Sequence, residues 1–214
     1  MEFATKRFAE GGYHPTSVAE IVTGLGVGKG VFYWYFESKE ELFYEILRDG
    51  MTDLRRSQHQ LIADVDDPVE RLRLGILATA RWSAAHRDLY GLTQFAATQA
   101  QFAPAIRKGR EIAISDTIKH VREGIARNLI RDVDPAYIAH AILGVTGQLV
   151  GTFIHQRDVD PDEVAQAAAA IVLDGVLCAP SPAGAAGPGV QATPAGPGVP
   201  ATQAGPGRSL SPAS

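Results

Sequence analysis

Cysteine is nearly absent from this sequence: Cys178 is the one cysteine among 214 residues. A single cysteine cannot form an internal disulfide, so a disulfide-stapled scaffold is excluded and a reducing, cytoplasmic compartment is expected. No basic segment followed by an apolar run opens the chain, so no secretory signal is expected. We take 165–177 as the most apolar stretch; because it is short and contains Asp174, no membrane contact is expected.

The clusters that mark enzymes and metal sites are also missing. The 6 histidines show neither zinc-ligand spacing nor an HExxH motif. No glycine-rich phosphate loop follows a strand, and Asp66-Asp67 is better explained by helix capping than by acid/base chemistry. We therefore expect no enzymatic activity, no metal and no cofactor.

Glycine and proline, at 22 and 13 residues, are numerous for a helical protein, but their excess is local. Residues 180–214 hold 8 of the prolines and 7 of the glycines, with Arg208 as their one charge and no aromatic residue. AGPG recurs there at Ala186, Ala195 and Ala204. Such a composition cannot bury enough apolar surface to offset chain entropy, so a disordered tail is predicted for 180–214. A polyproline II ligand for a partner is the alternative.

Elsewhere proline marks where helices begin. Asp67, Asp134 and Asp160 each precede a proline, which combines a favoured N-cap with a residue that loses no hydrogen bond in the first turn. Between these marks the apolar period is close to 3.6 and no strand alternation is visible. The pattern predicts an all-α fold of about nine helices, near 2–11, 17–24, 28–35, 39–63, 68–86, 88–102, 104–130, 135–156 and 161–177.

Two short helices joined by a glycine turn are predicted within 17–36. Ser17 and Ser38 each begin a capping box, and Gly26 lies in the turn. This spacing predicts a helix-turn-helix, whose second helix enters the major groove of DNA. A small aromatic-rich core is the alternative, but it does not explain the row Tyr33-Trp34-Tyr35, because a short helix cannot bury every direction at once.

The second helix of this motif carries side chains suited to DNA. Lys29 can donate to a guanine edge or a phosphate, and Gly30 lets the backbone approach the duplex. Polar hydrogens on aromatic rings suit phosphate oxygens, and a lysine at the start of the next helix can add a charged contact. The residues expected at phosphates are Tyr33, Trp34, Tyr35 and Lys39.

Residues 8–43 resemble the DNA-binding domain of the tetracycline-repressor (TetR) family. The matching segments read FAEGGY at 8–13, TSVAEI at 16–21, GVGKGVFYWYF at 26–36 and SKEELF at 38–43. The resemblance implies base contacts by Lys29 and Gly30, phosphate contacts by the four residues above, and Ser17 near the DNA backbone.

The same resemblance implies a helix-turn-helix domain at 1–48, a helical ligand-binding and dimerisation domain at 49–179, and the tail at 180–214. Such a protein is a ligand-responsive repressor that binds a palindromic operator in double-stranded DNA. The resemblance further implies that a small-molecule effector releases it and that the last two helices form the homodimer. Their small residues fit close helix packing, notably Gly144, Gly147 and Gly151, although packing within one chain is the alternative.

Two departures from the family bear on DNA binding. Residues 1–50 carry 5 Lys and Arg against 8 Asp and Glu, without the usual basic N-terminal arm, and phosphate neutralisation dominates non-specific affinity. The alternative function is therefore a helical ligand-binding or scaffolding dimer whose DNA binding is weakened or lost. Val31 replaces the usual Thr, and in the groove it would touch a thymine methyl.

An effector pocket is predicted in the C-terminal domain, since long helices with aromatic residues can enclose an apolar cavity. For the polar member, Thr98, helix anatomy favours a solvated helix face over the pocket. The predicted lining comprises Trp82, Phe95, Thr98, Phe102 and Tyr137.

Overall fold

The computed structural model describes residues 1–177, so the predicted tail at 180–214 lies outside the described residues. The prediction of an all-α fold with about nine helices is confirmed for the described part of the chain. The last two helices continue as π-helical segments, Val150–His155 and Ala170–Asp174. The nine helices are α1 Glu2–Gly11, α2 Val18–Gly24, α3 Lys29–Tyr35, α4 Lys39–Ile62, α5 Pro68–Ala85, α6 Arg87–Thr98, α7 Ala103–Ala126, α8 Pro135–Leu149 and α9 Pro161–Ala169.

Side-chain caps begin five of these helices, as predicted. Ser17 and Ser38 each accept a hydrogen bond from the backbone N–H three residues on, at 3.1 Å. Asp67, Asp134 and Asp160 each accept one from the N–H two residues on, at 2.9 Å. These bonds satisfy N–H groups that have no partner within the helix, and they set the starts of α2, α4, α5, α8 and α9.

Two helix ends differ from the prediction. Helix α6 ends at Thr98 rather than 102, because the turn that follows brings Phe102 inward until its side chain is fully buried. Helix α7 ends at Ala126 rather than 130, where Asn128 takes a left-handed φ of 58°. The N–H groups of Leu129 and Ile130 then both donate to Gly124 O, at 2.9 and 3.2 Å, which closes the helix.

The helices bury two hydrophobic cores. The first lies among α5, α7, α8 and α9, with Leu72, Val121 and Ile142 among its buried residues. The second joins α1–α4 to α6 and the turn that follows it, with Phe8, Tyr13, Phe43, Leu92 and Phe102. Helix α4 passes from the second core toward α5 without a break, so the boundary predicted at residue 48 falls inside a continuous helix.

The segment that has the length and composition of a membrane span is not the predicted apolar stretch at 165–177. Within the described residues, one helical segment, Pro135–His155, has the length and composition of a membrane span, with a mean hydropathy of 1.4. Core helices of soluble proteins meet the same test, and Ile138, Ala139 and Ile142 of this segment are buried in the first core. Only 33% of the 18-residue apolar window within this segment is buried in the chain, so much of its apolar surface faces outward.

The caps make a stability prediction at α9. Asp160 accepts from the N–H groups of Asp162 and Glu163, at 2.9 and 3.2 Å. We expect Asp160→Ala to lower the free energy of unfolding by about 1 kcal/mol, because both N–H groups lose their partner. Urea denaturation followed by circular dichroism measures the change. Asp64→Ala is the matched control at an exposed turn position, and an equal loss in both variants would contradict the capping role.

Candidate nucleic-acid interface

The turn between α2 and α3 fixes how α3 leaves the core. Gly26 has a φ of 68°, a left-handed conformation that glycine adopts without steric cost. The N–H of Val27 donates to Val22 O at 3.0 Å and completes the turn. Phe32, 6% exposed, then packs into the second core. One side of α3 is thereby held, and the opposite side is presented to solvent.

The outward side of α3 is made of the predicted DNA-contacting residues, and we call it the recognition face. Its aromatic side chains are unusually open, with Tyr33 57%, Trp34 78% and Tyr35 64% exposed. A Cβ added at Gly30 would meet no atom within 4 Å, so a duplex could approach the backbone there. Ser17, at the start of α2, is also exposed. The recognition face comprises Lys29, Gly30, Val31, Tyr33, Trp34 and Tyr35.

Lys39, the remaining predicted contact, is placed differently. Its ammonium donates to the carbonyl oxygens of Tyr13, His14 and Thr16, at 2.9, 3.2 and 3.0 Å. It also lies 4.5 Å from the centroid of the Tyr13 ring. This side chain is therefore engaged with the loop between α1 and α2 and is not presented on the recognition face.

Few positive charges are available to DNA in this part of the protein. Arg7 forms ion pairs with Glu20 and Glu10, and the hydrogen bond from Arg7 lowers the pKa of the Glu20 carboxyl. Lys6 lies 3.8 Å from Glu10. Of the cationic side chains in residues 1–46, Lys29 is the one that has neither a carboxylate nor a carbonyl partner. The recognition face thus presents one cation among aromatic rings.

Tyr13 has a role that the sequence interpretation missed. Its ring, 4% exposed, contacts Phe8, Phe43 and Phe102 at centroid distances of 5.7, 4.8 and 5.1 Å, and burial raises the pKa of its hydroxyl. Tyr13 therefore joins α1, α4 and the segment after α6. In the sequence, the one sign of this role is that Tyr13 is an aromatic residue directly after Gly12, the glycine that ends α1.

The structure does not bring the predicted pocket residues together. Phe95 and Phe102 pack in the second core beside Tyr13. The indole N–H of Trp82 donates to Asp53 at 2.7 Å, Thr98 is an exposed residue at the end of α6, and Tyr137 is 73% exposed on α8.

A cleft of about 410 Å³ lies instead where the α1–α2 loop meets α6. Of the five predicted pocket residues, only Phe95 lines it. Phe95 and Phe102 therefore join α6 and the turn after it to α1–α4, and they do not form one pocket with the other predicted residues.

Two short helices joined by a glycine turn, the second anchored by one buried residue and otherwise open to solvent, have the architecture of a helix-turn-helix DNA-binding protein. Residues 1–46 match the family described as "Bacterial regulatory proteins, tetR family", and residues 65–176 match "Tetracyclin repressor-like, C-terminal domain". The chain belongs to the tetR family and is a helix-turn-helix transcriptional regulator. The resemblance identified from residues 8–43 is thereby confirmed, and it extends through the C-terminal helices.

Solved structures of other family members share this fold over nearly their whole length. PfmR of Thermus thermophilus is 27% identical, with a TM-score of 0.69 over 81% of this chain and 96% of PfmR. KstR2 of Mycobacterium tuberculosis, a ketosteroid transcriptional regulator, is 26% identical, with a TM-score of 0.65 over 83% of this chain and 93% of its own. AibR, solved with isovaleryl coenzyme A and operator DNA, is 22% identical, with a TM-score of 0.66 over 80% of this chain and 95% of AibR.

The recognition face makes a prediction about DNA affinity. We expect Lys29→Ala to weaken operator binding by about 1–3 kcal/mol through loss of a base or phosphate contact. If Tyr33 contacts a phosphate as predicted, Tyr33→Ala should weaken binding to operator and to unrelated DNA alike. Fluorescence anisotropy gives both affinities, and circular dichroism checks folding.

Lys108→Ala, at an exposed position of α7, is the matched control for loss of a positive charge. Unchanged affinity in both Lys29→Ala and Tyr33→Ala would show that DNA does not bind the recognition face.

Proposed function

We propose that this regulator is a cytoplasmic, non-enzymatic repressor that binds a palindromic operator as a dimer and is released by a small molecule. The observation that carries the proposal is the recognition face: three exposed aromatic rings and one unpaired lysine on a helix whose opposite side is buried. A scaffolding dimer without DNA binding would gain nothing from leaving these rings in water, because exposed apolar patches generally mark interaction sites.

The proposed DNA contacts fall into two groups, those to base edges inside the major groove and those to the phosphates along it. Lys29 and Gly30 approach base edges, and Val31, 47% exposed, meets a thymine methyl. Tyr33, Trp34, Tyr35 and Ser17 lie along the phosphates and set the register of the helix. In this division the DNA-binding domain is 1–48 and the effector and dimer domain is 49–179.

The dimer seam that we propose uses the outward surfaces of α8 and α9. Added Cβ atoms at Gly144 and Gly147 would meet nothing within 4 Å, so packing within one chain does not account for these small residues. Gly151 differs, because its added Cβ would lie 2.6 Å from the Tyr90 hydroxyl. Ile171, 62% exposed, continues the open surface on the π-helical segment that follows α9. We call the outward residues Tyr137, Gly144, Gly147, Ala167, Ala170 and Ile171 the seam surface.

A two-fold dimer through the seam surface supports the operator geometry. Two copies of α3 would reach successive major grooves on one side of the duplex, about 34 Å apart, when the half-sites are centred one turn apart. An effector that favours a conformation with another spacing lowers operator affinity by the ratio of its affinities for the two conformations.

For the effector we propose an acyl-CoA thioester. AibR, a protein with this fold, was solved with both isovaleryl coenzyme A and operator DNA.

The coupling between the effector domain and the DNA-binding helices that we propose runs through Tyr13. Its ring contacts Phe95 and Phe102 at 5.8 and 5.1 Å, and these packed side chains connect the effector domain to α1 and α4.

The test of this function is a mobility-shift titration on the DNA upstream of the protein's own gene. We expect a complex at low salt, protection of two half-sites separated by about 10 base pairs between centres, and lower transcription from the bound promoter. Acetyl-, isovaleryl- and palmitoyl-CoA are then added, with free coenzyme A as the control.

At least one thioester should dissociate the complex while free coenzyme A does not. Absence of binding to every upstream fragment at low salt would contradict the repressor function and favour the scaffolding dimer. Binding that none of the thioesters reverses would contradict the proposed effector class.

The seam surface gives a separate prediction of assembly. We expect Ile171→Glu to convert the dimer to a monomer, because two like charges would be buried at the two-fold seam without partners. Light scattering after size-exclusion chromatography gives the mass of each variant. Leu61→Glu, at an exposed position of α4, is the matched control. A dimer that survives Ile171→Glu would place the interface elsewhere.

A further inference from the structure

Lys39 has no N–H group left for DNA. It is the first residue of α4, directly after the Ser38 N-cap, and its three carbonyl contacts lie between 2.9 and 3.2 Å. A lysine ammonium has three donors and no acceptor, so these three carbonyls use all of them. A phosphate oxygen could bind Lys39 only if the loop contacts were broken first.

The placement of a cation at this end of a helix requires compensation. The N-terminus of a helix carries a partial positive charge and disfavours a lysine there. The three carbonyl dipoles offset this repulsion, as does the Tyr13 ring, whose centroid lies 4.5 Å from the ammonium. The contacts of Lys39 are therefore a stabilising arrangement in their own right, made before any DNA arrives.

These contacts tie together the parts of the chain that flank the recognition helix. The three carbonyls belong to the loop that joins α1 to α2, in which the Thr16 hydroxyl donates to Gly12 O at 2.8 Å. Ser17 follows directly and caps α2. Because α2 and α3 lie in sequence between this loop and Lys39, the ammonium closes the segment 13–39 at its two ends.

We propose that Lys39 is a positioning residue for the recognition helix, in place of the phosphate contact that the family resemblance implied. It holds the loop at 13–16 against α4, so α2 and α3 keep one orientation relative to α4. Since Tyr13 also contacts Phe95 and Phe102, this orientation is tied to α6 as well. The inference rests on the proposed function of operator binding.

Two substitutions at Lys39 separate positioning from a phosphate contact. Lys39→Met removes the charge and all three donors but keeps the length of the side chain. Lys39→Arg keeps the charge, which serves a phosphate, but its planar guanidinium cannot direct donors from one atom to three converging carbonyls. Lys108→Met, on an exposed face of α7, is the control for loss of a lysine elsewhere.

The first readout is operator affinity, measured by anisotropy at salt concentrations from about 50 to about 300 mM KCl. We expect both Lys39 variants to weaken binding by about tenfold at each salt concentration, with the slope of log K against log salt unchanged. A phosphate contact predicts near-normal affinity for Lys39→Arg and, for Lys39→Met, a slope reduced by about 2 per dimer. That result would overturn the proposal. If Lys39→Met fails to fold, the affinity of Lys39→Arg decides.

The second readout needs no DNA. Amide hydrogen exchange in residues 13–24 of the free full-length protein should be about tenfold faster in both Lys39 variants than in the wild type, and unchanged in Lys108→Met. Unchanged exchange in the Lys39 variants would overturn the positioning role. If the wild-type chain binds no operator, the repressor function fails, and the exchange measurement alone decides the role of Lys39.

Discussion

The structure depends on burial of the aromatic cluster around Tyr13, Phe43 and Phe102. Helices α1–α3 are 10, 7 and 7 residues long, and helices of this length are marginal in water without tertiary packing. They are completed by α4, by α6 and by the turn after α6, which supply Phe43, Leu92 and Phe102 to a shared core. Because the DNA-binding helices share this core with α6, the stability of α1–α3 is coupled to the packing of α6.

The DNA-binding domain is acidic, and its few cations are divided between holding the fold and facing DNA. Two of its cations hold the fold: Arg7 pairs with Glu20 on α2, and Lys39 binds the loop between α1 and α2. What remains for DNA is Lys29 and the exposed rings of α3. Binding by such a face relies on short-range contacts and correct placement more than on long-range attraction, so its salt dependence should be shallow.

Local features of the fold could be predicted from the sequence because local chemistry determines them. The caps at Ser17, Ser38 and Asp160 depend on bonds that span two or three residues. The turn at Gly26 depends on one dihedral angle, and the outward face of α3 follows from helical spacing.

The remaining features depend on contacts between distant segments. Lys39 contacts carbonyls more than 20 residues away, so its position in the sequence indicated only the start of a helix. Phe102 is an aromatic residue near a helix end in the sequence, and only the packed structure shows that it belongs to the core of α1–α4. The predicted pocket residues lie in different surroundings for the same reason, because contacts between distant segments determine where each side chain packs.

The most direct test of the shared core is residue-resolved hydrogen exchange in two matched core variants. Phe102→Ala creates a cavity in the second core, and Ile142→Ala creates one in the first. A shared core predicts that Phe102→Ala accelerates exchange in α1, α2 and α3, whereas Ile142→Ala leaves those helices protected and accelerates α8 and α9. If Phe102→Ala accelerates only α6 and α7, the DNA-binding helices have a core of their own and the account is contradicted.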